Sequence, residues 1–140
     1  MRAARTPQEV DAALELRHRV FVGEQGVTPA ADRDGRDAEA LHLVAMRDGD
    51  LVGTCRVIVE ERVGRLGRMA VEPELRGKGL GAAVLEEAER AALFAGAERM
   101  RLHAQLSARS LYERAGYEPA GEVFLEEGIE HVTMEKSLGA

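Results

Sequence analysis

Hydrophobic and polar residues alternate along this chain in patterns typical of strands and of helices in turn. Six segments have the pattern of β-strands, at residues 41–47, 51–60, 66–71, 99–104, 117–124 and 131–136. The turn Asp48-Gly49-Asp50 joins the first two, and Asp-Gly between apolar segments is a strong signal for a β-hairpin. Pro73 ends the third, because proline has no amide hydrogen for a strand ladder. Strands that alternate with helices predict an α/β or α+β fold.

The first helix is predicted to begin at Thr6-Pro7, where a threonine N-cap precedes a proline at the first helical position. Helical spacing predicts a buried stripe made of Val10, Ala13, Leu14, His18 and Phe21. Gly23 and Gly26 then interrupt the helical pattern. Residues 28–38 are polar, and we expect a solvated surface loop there.

Two further helices are predicted in the second half of the chain. The longer covers residues 80–95, and Gly96 is placed to end it. The shorter covers residues 107–115, with Ser107 as its N-cap and Gly116 after its last turn.

Composition and charge limit the class of protein. The 140 residues are 45% hydrophobic and 31% charged, which predicts one globular domain over residues 1–140. A formal charge of −6 disfavours nucleic acid as a partner, because phosphate contacts need a basic surface. Cys55 is the single cysteine, so neither an internal disulfide nor a Cys-x-x-Cys metal site is expected. No apolar run approaches the ~20 residues that cross a bilayer, and no signal-peptide core is present, so we expect a cytoplasmic protein.

The segment most informative about chemistry follows the third predicted strand. Residues 76–81 read Arg-Gly-Lys-Gly-Leu-Gly and lead directly into the longest predicted helix. The first turn of a helix has unpaired N–H groups and a partial positive charge, and glycines let a phosphate approach them. Arg76 and Lys78 add positive charge beside these groups. The segment predicts a phosphate or pyrophosphate site, and its spacing matches neither nucleoside triphosphatases nor dinucleotide-binding folds.

Four motifs in a fixed order resemble those of one known family. Residues 76–81 match a Q/R-x-x-G-x-G/A pattern, and the preceding residues 68–71 resemble the family's fourth strand. Residues 111–117 read Leu-Tyr-Glu-Arg-Ala-Gly-Tyr, similar to its F-Y-x-x-x-G-F element. Residues 20–27 (VFVGEQGV) and 128–134 (GIEHVTM) are similar to motifs of a small single-domain bacterial branch. The sequence therefore resembles the Gcn5-related N-acetyltransferases (GNAT) over nearly its whole length.

The resemblance implies a mixed, mostly antiparallel central sheet that is flanked by helices and splayed between strands 4 and 5. The pantetheine arm of acetyl-CoA would lie in the splay, with the diphosphate on the glycine-rich loop, and no metal is implied. The implied cofactor-binding residues are Met69, Ala70, Val71, Arg76, Gly77, Lys78, Gly79, Leu80 and Gly81. Gln105 stands where the family often has asparagine, so its side chain would reach the pantetheine with one additional methylene.

Tyr112 matches the position of the family's general acid, which protonates the leaving thiolate; packing against the core is the alternative role. A phenol with a pKa near 10 keeps its proton at neutral pH, so it can offer that proton to a leaving thiolate, whose thiol has an ordinary pKa of about 8.5. His131 is preferred as the general base over His42 and His103, with a structural role open for all three. Glu24 is predicted to contact a cationic acceptor, or else to be structural.

The leading functional prediction is transfer of an acetyl group from acetyl-CoA to a primary amine of a small molecule, such as an amino sugar or polyamine. Two alternatives stay open: a non-catalytic sensor that binds acyl-CoA, and an acetyltransferase of protein lysines or N-termini. Transfer through Cys55 is disfavoured, because a lone cysteine in a strand is more often a small buried side chain. A homodimer is the commonest symmetric assembly and is expected if the protein associates.

Overall fold

A computed structural model describes residues 2–3, 6–29 and 35–139. The helices are α1 (Pro7–Arg17), α2 (Leu80–Phe94) and α3 (Arg109–Arg114). The strands are β1 (Arg2–Ala3), β2 (Leu41–Arg47), β3 (Asp50–Glu60), β4 (Val63–Val71), β5 (Arg99–Gln105), β6 (Glu118–Pro119), β7 (Phe124–Glu126) and β8 (Ile129–Ser137). A π-helical segment, His18–Glu24, continues α1, and 3-10 turns cover Asp37–Glu39, Pro73–Leu75 and Leu106–Ala108.

The strands form one eight-stranded sheet in the order β1-β2-β3-β4-β5-β8-β6, with β7 also paired to β8. All pairs are antiparallel except β4 and β5, which run parallel. The parallel pairing joins residues 63–66 to residues 99–102, and the later residues of both strands are unpaired with each other. The mixed, mostly antiparallel sheet with a splay between strands 4 and 5 is therefore confirmed.

A β-bulge bends β4 where the splay begins. Thr54 pairs with Ala70 and Arg56 with Gly67, so two residues of β4 lie opposite one residue of β3. One of those two, Arg68, has a φ of 55°, a left-handed conformation uncommon for a residue other than glycine. A bulge increases local twist and re-aims the strand. We attribute the separation of β4 from β5 to this bend.

The two faces of the sheet carry different helices, and we name them after those helices. On the α2 face, Val84 and Leu85 of α2 pack with strand residues such as Cys55, Leu66 and Met100 in the main hydrophobic core. On the α1 face, a smaller cluster contains Leu16, Val20 and Ala70. Because side chains alternate along a strand, the neighbours of α2-face residues, such as Arg65, Arg101 and His103, lie on the α1 face. Within the described ranges, no helix is long and apolar enough to cross a membrane.

The predicted buried stripe of α1 is wrong in its orientation. The buried residues of α1 and its π-helical continuation are Ala13, Leu16, Arg17 and Val20, whereas His18 is exposed. The helix is rotated so that Arg17, which is 1% exposed, reaches Asp37 with Nη1 at 2.7 Å from Oδ1. Sequence periodicity assigns a charged side chain to the solvent face, whereas here an ion pair with a carboxylate compensates for its burial. Asp37 therefore lies in a buried ion pair and not in a solvated loop, and residues 30–34 of that predicted loop lie outside the described ranges.

Other elements follow the sequence closely, with two corrections. The hairpin of β2 and β3, the fourth strand and α2 occur at the predicted places, and Gly96 ends α2 with a φ of +96°. The predicted strand over residues 117–124 is instead two short strands, β6 and β7, which both pair with β8. Ser107 does not cap α3; it lies inside a 3-10 turn, and α3 begins at Arg109 without a side-chain cap.

Candidate active site

A cleft of about 1020 Å³ opens where β4 and β5 separate. Its walls come from distant parts of the chain: the π-helical segment, the glycine-rich loop, β4, β5, α3 and the hairpin of β7 and β8. The residues predicted for the site that line it are Met69, Ala70, Val71, Arg76, Gly77, Gly79, Gly81, Gln105, Tyr112 and His131. Most of the predicted site residues are thus brought together in one cavity.

The glycine-rich loop forms the entrance to α2. Gly77 and Gly79 have φ values of +78° and +83°, and Gly79 is the N-cap of α2 without a side-chain hydrogen bond. The first backbone hydrogen bond of the helix runs from the Ala83 N–H to the Gly79 carbonyl oxygen. The preceding N–H groups of the first turn are therefore available to an anion, at the positive end of the helix dipole.

Arg76 is fixed beside this loop by contacts from two directions. Its Nε donates to the Val71 carbonyl oxygen at 3.1 Å, and its Nη2 donates to Glu24 Oε1 at 3.0 Å. The hydrogen bonds from Arg76 hold the pKa of the Glu24 carboxyl below its ordinary value. Glu24 is thus occupied by Arg76, 52 residues away, and is not among the described residues that line the cleft. Lys78 is exposed on the outer side of the loop.

The strand side of the predicted coenzyme site contains the bulge of β4. Met69 packs against the α2-face core, and Ala70 is only 2% exposed beneath α1. Across the splay, Gln105 Nε2 donates to Gln25 Oε1 at 2.9 Å, and both side chains line the cleft. Leu80 packs against the core and does not appear among the described residues of the cleft wall.

Tyr112 lies deep in the cleft wall, with 7% of its surface exposed. Its ring packs edge-on against Tyr117, with centroids 5.9 Å apart. Among the described residues its hydroxyl has one hydrogen-bond partner, the Met69 thioether sulfur at 3.9 Å, which is a weak acceptor. Burial raises the pKa of the Tyr112 phenol, so the O–H stays protonated at neutral pH and is available to a sulfur in the cleft.

His131 lines the cleft and is paired with Gln105 across β5 and β8. Its Nδ1 lies 2.7 Å from the Ile129 carbonyl oxygen, so the proton of the neutral ring is on Nδ1 and the lone pair on Nε2. Nε2 is 3.6 Å from Glu126 Oε2, while the other carboxylate oxygen lies 3.1 Å from His103 Nδ1. Phe124 lies between the two imidazoles, stacked on His131 and edge-on to His103. His131, Glu126 and His103 thus form one cluster of side chains on the cleft wall.

His42 and Cys55 have the structural surroundings expected of buried side chains. His42 is 8% exposed, and its Nε2 lies 2.9 Å from the Asp37 carbonyl oxygen. Cys55 is 1% exposed, and burial raises the pKa of its thiol to about 12. Because a thiol must ionise to act as a nucleophile, this environment disfavours a covalent intermediate on Cys55.

Comparison with known proteins decides the family. Residues 3–138 match a family model described as "Acetyltransferase (GNAT) domain". The chain belongs to the GNAT family. A Bacillus subtilis protein named as an acetyltransferase is 35% identical over 132 residues, which are 92% of this chain and 90% of the relative.

Solved structures agree with the GNAT assignment. An acyl-CoA N-acyltransferase from Pseudomonas aeruginosa has a TM-score of 0.84 and 34% identity, covering 95% of this chain and 93% of that one. An aminoglycoside 6'-N-acetyltransferase complexed with coenzyme A has a TM-score of 0.79 and covers 100% and 98% of the two chains. At 16% identity, that second likeness shows the fold alone. Membership and relatives together make this GNAT protein an acyl-CoA-dependent N-acetyltransferase.

The geometry of this GNAT acetyltransferase also includes residues that sequence reasoning missed. Glu126 joins two histidines that are far apart in the sequence, and His103, predicted to be structural, lines the cleft at 48% side-chain exposure. Besides Arg76, six arginines line its wall: Arg36, Arg56, Arg65, Arg68, Arg101 and Arg114. Apart from Arg68 and Arg114, no local motif marks these residues. The available signal was strand alternation, which places residues 101, 103 and 105 on one face of the sheet. Residue 131 lies on the same face, because it is paired with residue 105.

Proposed function

We propose that this acetyltransferase moves an acetyl group from acetyl-CoA directly to a primary amine of a small molecule. The observation that supports this most is that one cleft is lined by the anion-binding loop, by Tyr112 and by His131. A direct transfer needs the donor, a proton acceptor and a proton donor within one cavity, and no covalent enzyme intermediate.

The coenzyme half of the cleft would bind the donor through the backbone. The diphosphate would accept hydrogen bonds from the N–H groups of residues 77–81, with Arg76 held beside it by Glu24. Lys78 and Leu80 would contribute backbone N–H groups of the same loop. The pantetheine arm would lie in the splay along Met69 and Val71, with the Gln105 amide on the opposite strand.

In this reaction the base acts on the acceptor amine and the acid acts on the leaving sulfur. His131 Nε2 would accept a proton from the ammonium form of the acceptor, and the Glu126 carboxylate would stabilise the imidazolium. The neutral amine then attacks the thioester carbonyl carbon, and the C–S bond breaks as the amide forms. Tyr112 would donate its hydroxyl proton, or a strong hydrogen bond, to the leaving sulfur. The first proton, taken from the ammonium, would leave through His131. The second, lost from nitrogen as the amide forms, would restore the Tyr112 hydroxyl, so that each turnover releases one proton and free coenzyme A.

A small acceptor is favoured because the acceptor end of the cleft has walls on both sides. Phe21, Gln25 and Val27 bound it from the π-helical side, and Glu127 and Ile129 bound it from the hairpin side. The cleft volume of about 1020 Å³ is near the upper end of the range for small-molecule and cofactor sites, which is consistent with a small acceptor.

The function is tested by following release of free thiol from acetyl-CoA in the presence of a panel of small amines. We expect thiol release that depends on the amine, together with an acetamide product identified by mass spectrometry. Binding of acetyl-CoA without turnover on any amine would favour the sensor instead. Turnover only on lysine peptides or protein N-termini would favour protein acetylation.

The loop is tested by Gly79→Ala, which we expect to weaken acetyl-CoA binding about tenfold in calorimetry. An alanine in the left-handed region costs about 1–2 kcal/mol, so the loop relaxes away from the conformation that aims its N–H groups. Gly96→Ala is the matched control, because Gly96 has a φ of +96° at the opposite end of the same helix. Gly96→Ala should lower the free energy of unfolding by a similar amount and leave the dissociation constant for acetyl-CoA unchanged. Equal affinities of both variants and the native protein would contradict the proposed loop.

A further inference from the structure

The acceptor end of the cleft is basic, although the whole chain has a formal charge of −6. Arg36, Arg56, Arg65 and Arg101 line its wall away from the glycine-rich loop. The acidic side chains among the described lining residues are Glu126 and Glu127, both in the β7–β8 hairpin beside the two histidines. Arg68, Arg76 and Arg114 also line the cleft, so positive side chains outnumber acidic ones along its described wall.

Arg65 and Arg101 are direct neighbours on that sheet. They are paired residues of the parallel strands β4 and β5, at the last stretch before the strands separate. Both lie on the α1 face, opposite α2, and strands in this direction are about 4.8 Å apart. Guanidinium groups on side chains that leave the backbone so close together repel each other unless anions lie near both.

The carboxylates that accompany these arginines lie beside them on the same face of the sheet. Arg101 donates from Nε and Nη2 to the single oxygen Glu135 Oε2, at 2.9 and 2.8 Å. Arg65 Nε is 3.5 Å from Glu60 Oε1. Neither Glu60 nor Glu135 is among the described residues that line the cleft. Each guanidinium group has five N–H donors, so these contacts leave donors on two side chains that line the cleft.

We propose that the acceptor amine carries a carboxylate, which binds to Arg65 and Arg101 while the amine lies between His131 and Tyr112. This inference rests on the proposed function and assigns its substrate class. Arg65 is four residues before Met69 on β4, and four residues of extended strand span roughly 13 Å. An arginine side chain can reach across about half of that distance. The carboxylate and amine are therefore separated by several bonds, as in an ω-amino acid. A polyamine would place a second positive charge against the two arginines.

The charge preference is measured with three acceptors of equal length and different termini. These are 6-aminohexanoate, hexylamine and 1,6-diaminohexane, which carry a negative, a neutral and a positive far end. We expect kcat/KM to fall in that order, with at least a tenfold difference between the first and the last, most of it in KM. An aminohexyl phosphate distinguishes the source of the anion: activity below that of 6-aminohexanoate supports a carboxylate, and higher activity would assign a phosphate and overturn the carboxylate.

The two arginines are tested by Arg101→Gln and, separately, Arg65→Gln. Each should raise the KM for 6-aminohexanoate about tenfold or more and leave the KM for hexylamine and the affinity for acetyl-CoA unchanged. Arg90→Gln is the matched control, because Arg90 is an exposed, ion-paired arginine on α2, outside the cleft wall. Its values should equal those of the native protein.

Failure of this inference is distinguishable from failure of the proposed function. Equal kcat/KM for the three acceptors, or preference for the diamine, overturns the anionic acceptor and leaves acetyl transfer intact. Absence of amine-dependent thiol release with every acceptor, despite bound acetyl-CoA, overturns the proposed function itself.

Discussion

Replacing Tyr112 with phenylalanine is expected to lower kcat about 100-fold at neutral pH, which is the lower range for loss of a positioned proton donor. The leaving thiolate needs a proton or a strong hydrogen bond, and Tyr112 is the hydroxyl that faces the Met69 sulfur in the cleft. Phenylalanine keeps the ring and its edge-on contact with Tyr117, so packing is retained. Because burial raises the pKa of Tyr112, the phenol stays protonated over the neutral range, and the deficit should be constant from about pH 6 to 9.

Tyr117→Phe is the matched control for this prediction. Tyr117 is the other ring of the same pair, but its hydroxyl donates to Glu89 at 2.8 Å and does not line the described cleft. Loss of this hydrogen bond should lower the free energy of unfolding by about 1 kcal/mol and leave kcat unchanged. Steady-state kinetics and calorimetry with acetyl-CoA separate the two effects. Full turnover by Tyr112→Phe, with normal coenzyme binding, would exclude Tyr112 as the acid and leave it a packing residue.

Replacing Asp37 with asparagine is expected to lower the free energy of unfolding by about 3 kcal/mol at pH 7. Asp37 Oδ1 accepts from Arg17 at 2.7 Å and from Arg56 at 3.3 Å. The two arginines are 1% and 7% exposed, so removing the carboxylate leaves buried cations without this partner. Urea unfolding of the native protein and the variant measures the difference.

The pH dependence of that difference identifies its cause. Burial alone would raise the pKa of Asp37, but hydrogen bonds and charge from Arg17 and Arg56 hold it below the ordinary value. A carboxyl whose pKa is lowered by folding stabilises the protein above its unfolded pKa of about 3.9, and this is lost as the pH falls further. The two proteins should therefore converge in stability below about pH 4. Glu39→Gln, at a neighbouring carboxylate that is 53% exposed, should change stability by less than about 1 kcal/mol. A constant difference down to pH 3 would contradict the ion-pair explanation.

Much of this fold could be predicted because its signals are local. Asp48-Gly49 marks a hairpin through turn chemistry, and Gly96 ends α2 because it adopts a left-handed conformation there. The loop before α2 indicates an anion site in the same way, since N–H groups at a helix start need no distant partner. Tyr112 and His131 were found through resemblance to GNAT motifs, and the structure places both on the cleft wall.

The sequence by itself determined most of the elements, the glycine-rich loop before α2 and the family, because each depends on residues that are close along the chain. The tertiary structure alone decided which distant side chains meet: Glu24 with Arg76, Glu126 with two histidines, and Arg65 beside Arg101. It also decided the rotation of α1, which buries Arg17 in an ion pair with Asp37. Strand register and ion pairs across 20 to 52 residues leave no periodic trace in a sequence, so the acceptor end of the cleft emerges only from the folded sheet.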